Sequence, residues 1–215
     1  MLGIDDGPFR RDGVRAPIAA VLLSLPRRIE AVERSFVTVD GTDATDRILR
    51  LVRRTASVGD LRALLLDGPL VGGFNVVDLD RLTEELRLPV VTVSRHRPDL
   101  RRIREVLDRY FPRDGAERWR LLRRHPPRPW GRGPGPLWGT VLGAGRREAA
   151  RLLDRAAVDG RWPEPLRLAH MVARAGSARG AAGPVRGRQV IRTPENGAPR
   201  GGPLPGRWMP GQGKD

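Results

Sequence analysis

The chain has no cysteine. That excludes disulfides, thiolate zinc sites and cysteine nucleophiles, and it makes a cytoplasmic protein the simplest expectation. It also lacks any apolar run of about 18 residues, the length that a membrane span requires. The longest candidate, Ala16–Leu25, is short and interrupted by Pro17 and Ser24, and no basic segment or cleavage site frames it as a signal peptide. No membrane partner is expected. Lysine is almost missing too, Lys214 being the only one.

What is present in excess is arginine. The formal net charge is +15 and the isoelectric point about 11.7. Such a charge suits a polyanionic partner, and nucleic acid, DNA or RNA, is the expected one. GC-rich codon usage would produce the same Arg, Ala, Gly and Pro bias. At 215 residues, one domain with a sizeable core is the default.

The stretch Leu64–Val93 organises the rest. Leu64-Leu65-Leu66 is an apolar run that stops at Asp67-Gly68, a Gly-rich loop with Gly72 and Gly73 follows, and a helical pattern covers about Val76–Leu86. Pro89 then opens a second apolar run, Val90–Val93. Apolar runs flanking a helix read as a βαβ unit with buried parallel strands. A carboxylate at the carboxyl end of such a strand stands where open α/β sheets place their chemistry, although Asp-Gly is also an ordinary turn.

Upstream, Leu2–Asp6, Ala16–Leu25 and Ser35–Val39 read as three strands of an antiparallel meander. The first of them is brief, which suggests a true start upstream. Thr42 or Asp43 is placed to cap a helix whose apolar face is Ile48, Leu49, Leu51 and Val52. Downstream, helices are expected at about Asp99–Tyr110, Pro112–Leu122 and Arg146–Val158, with a strand at Leu137–Leu142. Two prolines, Pro163 and Pro165, lead into a last helix. The Pro/Gly-rich segment His125–Pro136 is expected to hold no regular structure. From Gly176 onward the composition cannot bury enough surface to offset its ordering entropy, so a domain over residues 1–175 and a disordered tail over 176–215 are expected.

Three acidic positions thus end separate strands: Asp5/Asp6, Asp40/Asp43 and Asp67. If the strands are neighbours, their carboxylates converge, and hard oxygen ligands suit Mg²⁺ or Mn²⁺. Three antiparallel strands followed by parallel ones, with acidic strand ends, is the logic of an RNase H-like α/β fold with flanking helices.

The same residues carry a resemblance. Gly3-Ile4-Asp5-Asp6-Gly7-Pro8-Phe9, Val39-Asp40-Gly41-Thr42-Asp43-Ala44-Thr45, Leu66-Asp67-Gly68 and Gly73-Phe74-Asn75-Val76-Val77-Asp78 resemble the archaeal family known as domain of unknown function 99 (UPF0215-like). That family is similar in turn to endonuclease V, an RNase H-like nuclease. Trp162 to His170, with its PEPLRLAH, is the closest block. The resemblance implies Asp5 and Asp67 as metal ligands and His170 as a catalytic group beside them. Endonuclease V carries a glutamate that this chain lacks in identical form, and Asp43 is chosen for its role, with Asp40 and Asp46 close behind. Arg95 is expected to contact a phosphate, and Gly72, Gly73, Phe74 and Asn75 to form a nucleotide pocket. Nothing like the endonuclease V wedge precedes Asp40, so specificity for a deaminated base is not carried over.

The residues imply smaller roles elsewhere. Asp6 is read as orienting, Glu164 and Arg167 as a structural pair, and His96 and His125 as solvated. The expected function is a Mg²⁺-dependent nuclease or nucleic-acid-processing phosphodiester hydrolase. The alternatives are a nucleic-acid- or nucleotide-binding protein that keeps the fold but has lost efficient chemistry, and a phosphohydrolase acting on small nucleotides.

Overall fold

Which residues form strands follows from where the apolar runs break. The computed structural model describes residues 1–10, 12–24, 28–130 and 135–177. β1 (Leu2–Asp6), β2 (Arg15–Ser24) and β3 (Arg28–Thr38) pair antiparallel in chain order, as the meander reading expects. α1 (Ala44–Thr55) follows and buries Ile48, Leu49, Leu51 and Val52. β4 (Leu64–Asp67) then runs parallel to β1. The loop after it closes a two-stranded hairpin, β5 (Leu70–Val71) with β6 (Asn75–Val76), before α2 (Leu79–Leu86). β7 (Val90–Val93) lies parallel to β4, completing the βαβ unit.

The second half adds α3 (Leu100–Tyr110), α4 (Gly115–Arg124), β8 (Arg128–Trp130), β9 (Leu137–Gly139), β10 (Val141–Leu142), α5 (Arg146–Ala156) and α6 (Glu164–Ser177). The main sheet has six strands in the order β10-β7-β4-β1-β2-β3. This is a mixed α/β sheet, antiparallel at both edges and parallel at its centre. Two expectations need correction. The Pro/Gly-rich segment does hold structure, because Arg128–Trp130 pairs with Leu137–Gly139 and buries Trp130. The strand at Leu137–Leu142 is two strands, broken at Thr140. The segment from 178 onward, which holds nearly all of the expected tail, lies outside the described residues, as do residues 131–134.

Alternation along the central strands sorts side chains into two cores. Leu2, Ile4, Leu64, Leu66 and Val90 pack beneath α1 and α2. Met1, Leu65, Val91 and Val93 face α5 and α6, against Ala149, Leu153 and Leu166. Being buried on both faces, β4 and β7 read as unbroken apolar runs rather than alternating ones. Each such leucine or isoleucine contributes about 1.5–3 kcal/mol over its exposed state. A third cluster, with Ile103, Leu107 and Leu122, joins α3 and α4 to the hairpin. Among the described residues, no helix is long and apolar enough to cross a membrane.

α6 lies directly on β1, and glycine makes that possible. A Cβ at Gly3 would stand 2.4 Å from the Pro165 carbonyl carbon, and one at Gly7 would stand 2.5 Å from the Ala173 oxygen. Leu166, Ala169 and Ala173, spaced three and four apart, turn their small or apolar side chains to the sheet and are fully buried. Gly3→Ala should therefore lift α6 from β1 and cost about 1–3 kcal/mol, the usual penalty of overpacking. Urea denaturation of the two proteins measures this, with an unchanged midpoint as the contrary result.

Candidate functional site

Register puts two carboxylates side by side. Ile4 on β1 is opposite Leu66 on β4, so the next residues, Asp5 and Asp67, stand abreast at the strands' carboxyl ends. Both share the sheet face of Leu65 and α6, since side chains two apart share a face. His170 comes from above: its Nδ1 lies 2.9 Å from the Asp5 Oδ2. The second Asp5 oxygen accepts a hydrogen bond from the Asp6 backbone N–H at 2.7 Å. Arg95, two residues past the end of β7, lays its guanidinium 4.3 Å from the Trp162 ring centre. The structure therefore brings Asp5, Asp67, His170 and Arg95 together.

The electrostatics of this face are strained. Burial, and then the charge of Asp6, raise the Asp5 carboxyl well above its usual range. Burial raises Asp67 likewise, with Asp5 and Asp6 adding to it and Arg95 and His170 opposing it. No hydrogen bond from the described residues reaches the Asp67 carboxylate. His170 is pushed below its ordinary value by burial and then by Arg174, so it is neutral at pH 7. A neutral imidazole that donates from Nδ1 to Asp5 keeps its other nitrogen free to accept a proton.

Asp6 points to the opposite face, where its Oδ2 accepts from the Gly72 N–H at 2.6 Å. Burial pushes its carboxyl up to about 6 despite that bond. The Gly72–Asn75 loop is held from every side. Phe74 N–H donates to the Asp40 Oδ1 at 2.7 Å, and Asp40 N–H donates to the Gly72 oxygen at 2.9 Å. Asn75, wholly buried, accepts from Ala44 N–H and donates to the Thr38 oxygen and the Asp43 Oδ1. Phe74 packs on Phe111 with the apolar cluster of α3 and α4. These four residues form a braced turn in which the Phe74 and Asn75 side chains serve the fold, and the Gly72–Asn75 group is not brought together with Asp5 and Asp67.

Asp43 is likewise committed elsewhere. Its carboxylate accepts from Thr38 N–H and Oγ1, from Arg47 Nε and from Asn75 Nδ2. Burial alone would raise it, but these hydrogen bonds hold it below the usual carboxylate range. It precedes α1 without capping it through its side chain. Sequence reasoning missed Arg118, which is buried, pairs with Asp114 and donates to the Phe74 and Asp40 backbone oxygens at 2.5 and 2.8 Å. Only the Asp114–Arg118 helical spacing signals it. His125 departs from the solvated reading, since its Nε2 lies 2.8 Å from Asp80 Oδ1. His96 is exposed, and Glu164 and Arg167 form the pair that was expected.

A cavity of about 220 Å³ opens at the carboxyl ends of β4 and β7, lined by Asp67, Gly68, Leu70, Ser94, Ile103 and Leu122 among others. It is largely apolar and meets the acidic face at Asp67 and Arg95. Open α/β sheets place ligands at such an end.

The family model described as endonuclease dU matches residues 1–177. The chain belongs to the endonuclease dU family. Its relatives include the UPF0215 protein of Thermococcus gammatolerans, 40% identical over 179 residues that cover 81% of this chain and 90% of that one. The UPF0215 protein of Methanosarcina barkeri is 35% identical, covering 85% and 94%. A protein of unknown function from Archaeoglobus fulgidus superposes with a TM-score of 0.72 at 27% identity, covering 80% of this chain and 94% of that one. Endonuclease V of Ciona intestinalis, in complex with a DNA containing an inosine, gives 0.53 at 14% identity, covering 82% and 85%. That last likeness is one of fold: the endonuclease dU family member shares the RNase H-like architecture of endonuclease V. Membership of the endonuclease dU family, not the likeness of fold, is what suggests a nuclease-type function.

Because the Asp67 carboxyl is raised on folding, its ionisation opposes the folded state. Its contribution is unfavourable above the folded value and vanishes as pH falls below the unfolded value near 4. Asp67→Asn should thus stabilise the metal-free protein at pH 7 by about 1 kcal/mol, a typical gain at strained functional positions. The gain should shrink toward zero by about pH 4. Thermal melts across pH in the presence of chelator measure it, and a pH-independent difference would contradict the assignment.

Proposed function

We propose that the chain is a divalent-metal-dependent phosphodiester hydrolase acting on nucleic acid. The observation that carries this is the pair Asp5 and Asp67, abreast on one sheet face, with His170 on Asp5. Two adjacent carboxylates, one of them accepting no hydrogen bond from the described residues, fit a Mg²⁺ or Mn²⁺ ion that keeps most of its waters and takes further ligands from substrate phosphates. When bound, such an ion neutralises phosphoryl oxygens and acidifies water. Asp5 and Asp67 would hold it.

The remaining residues divide the work. His170, neutral at pH 7 and oriented through Nδ1 by Asp5, offers its other nitrogen as a proton acceptor or donor at the reacting phosphate. Arg95, fixed by Trp162, presents its guanidinium to a phosphate oxygen. The cavity beyond Asp67 is apolar enough to take a planar base turned out of its stack. The family description supports deoxyuridine-containing DNA as the first substrate to try, and the +15 charge suits a polyanion. A cysteine-free chain works equally well in a reducing cytoplasm.

A second reading, a nucleic-acid-binding protein that has lost efficient chemistry, rests on one observation. Asp43 spends its carboxylate on Thr38, Arg47 and Asn75, and among the described residues no group of three His, Asp or Glu side chains is gathered for a metal.

Cleavage separates the readings. With Mg²⁺ or Mn²⁺, the full chain should cut an oligonucleotide carrying one deoxyuridine. Asp67→Asn should lower the rate at least about 100-fold, and His170→Ala about 100-fold or more, in the range for positioned acid–base groups. Chelator should abolish cutting. Salt-sensitive binding without cleavage, together with no Mn²⁺ site in calorimetry, would establish the second reading instead.

A further inference from the structure

The cavity at the carboxyl ends of β4 and β7 holds polar atoms that the fold leaves unused. Thr92 and Ser94, two residues apart at the end of β7, turn to the same side of the sheet and line it. Thr92 Oγ1 is engaged, accepting from the Thr140 N–H at 2.9 Å. Ser94, 8% exposed, makes no side-chain hydrogen bond to a described residue. A Cβ at Gly68 would stand 3.3 Å from the Ser94 Oγ, so this hydroxyl lies at the Asp67 end of the cavity. His125, directly after α4, lines the same cavity. Its Nε2 lies 2.8 Å from the Asp80 Oδ1, and Arg124 donates to the other Asp80 oxygen at 2.8 Å. Burial would raise the Asp80 carboxyl, but these two hydrogen bonds hold it below the usual carboxylate range. Facing an ionised carboxylate, Nε2 carries the hydrogen, and in the neutral ring Nδ1 is left as an acceptor. Nδ1 has no partner among the described residues. No fully buried side-chain nitrogen or oxygen of those residues lacks a partner, so Nδ1 and the Ser94 Oγ both reach open space.

We propose that Ser94 and His125 read the base turned into this cavity, and that His125 selects bases carrying a ring N–H beside a carbonyl. The inference rests on the hydrolase reading in one respect, that the cavity takes a base of a nucleic acid. A base outside its stack is recognised along its pairing edge. Uracil presents there an N3–H donor next to a carbonyl oxygen, whereas cytosine presents an N3 acceptor next to an amino group. The Ser94 hydroxyl can donate to the carbonyl or accept from the amine, so it does not choose between them. An acceptor at His125 Nδ1 does choose: it takes the uracil N3–H, and against cytosine it opposes lone pair to lone pair. Leu70, Ile103 and Leu122 supply the apolar wall against which the ring packs. Asp80 is a positioning residue, holding the tautomer that makes the choice. Thymine and hypoxanthine carry the same N–H and carbonyl, so His125 sets the class of base and not the single member.

Binding in the presence of chelator tests this without any cutting. The full chain is titrated, at one salt concentration, into labelled single-stranded oligonucleotides that differ at one base: uracil, N3-methyluracil or cytosine. Uracil should bind about tenfold or more tighter than either of the others, the effect of one buried polar group left unpaired. His125→Ala should bring the three affinities within about twofold of one another, whereas a histidine that merely tied α4 to α2 would leave their ratios unmoved. Asp80→Asn is the sharper variant. Arg124 can only donate, so it keeps the amide oxygen and turns the amide N–H toward His125 Nε2. The ring hydrogen then moves to Nδ1, and the preference for uracil over cytosine should vanish or reverse. A chain that binds the three oligonucleotides alike or binds none, or a preference that survives either substitution, overturns the proposal. A chain that shows the preference yet cuts nothing with Mg²⁺ or Mn²⁺ loses the hydrolase reading and keeps this one.

Discussion

The contact between α6 and β1 is the constraint on which the site depends. A helix normally stands off a sheet by the thickness of two side-chain layers. Here Gly3 and Gly7 remove one layer, and the Pro165 and Ala173 backbones settle into the gaps. Only at that distance can an imidazole from the helix reach a carboxylate on the strand at 2.9 Å. Parallel pairing with β4 then sets Asp67 abreast of Asp5 with no further device.

The site's charge is concentrated rather than balanced. Burial raises all three carboxyls, Asp6 adds to the rise at Asp5, Asp5 and Asp6 add to it at Asp67, and Arg95 opposes it at Asp5 and Asp67. The surrounding structure supplies the rigidity that holds such groups together. Arg118, Asp40, Asp43 and Asn75 lock the loop after β4 through backbone and side-chain hydrogen bonds. Those residues act as a frame around the site.

Much of this was legible in the sequence because the cues were local. Leu64–Leu66 and Val90–Val93 read as buried parallel strands since both faces are apolar, and PEPLRLAH carried His170 to its place. The division of labour among the acids was not legible. Asp43 and Asp67 look alike in sequence, each standing beside turn residues near the end of a β-branched or apolar run. Only the fold shows that Asp43 meets Thr38, Arg47 and Asn75, while among the described residues no hydrogen-bond donor reaches Asp67. β8 was hidden because prolines mask an edge strand whose pairing depends on Trp130 finding a core thirty residues and more away from its neighbours in β7.

The Asp5-Asp6 doublet has a consequence for how β1 finds its register. A slip of one position would exchange the two aspartates, leaving a carboxylate on each face, so the acids themselves cannot tell right from wrong. The glycines can. A slip carries Gly3 and Gly7 out from under Pro165 and Ala173 and drives a side chain into the helix backbone. The proposed chemistry sits on residues that tolerate a misreading, and the proofreading falls to residues that have no side chain.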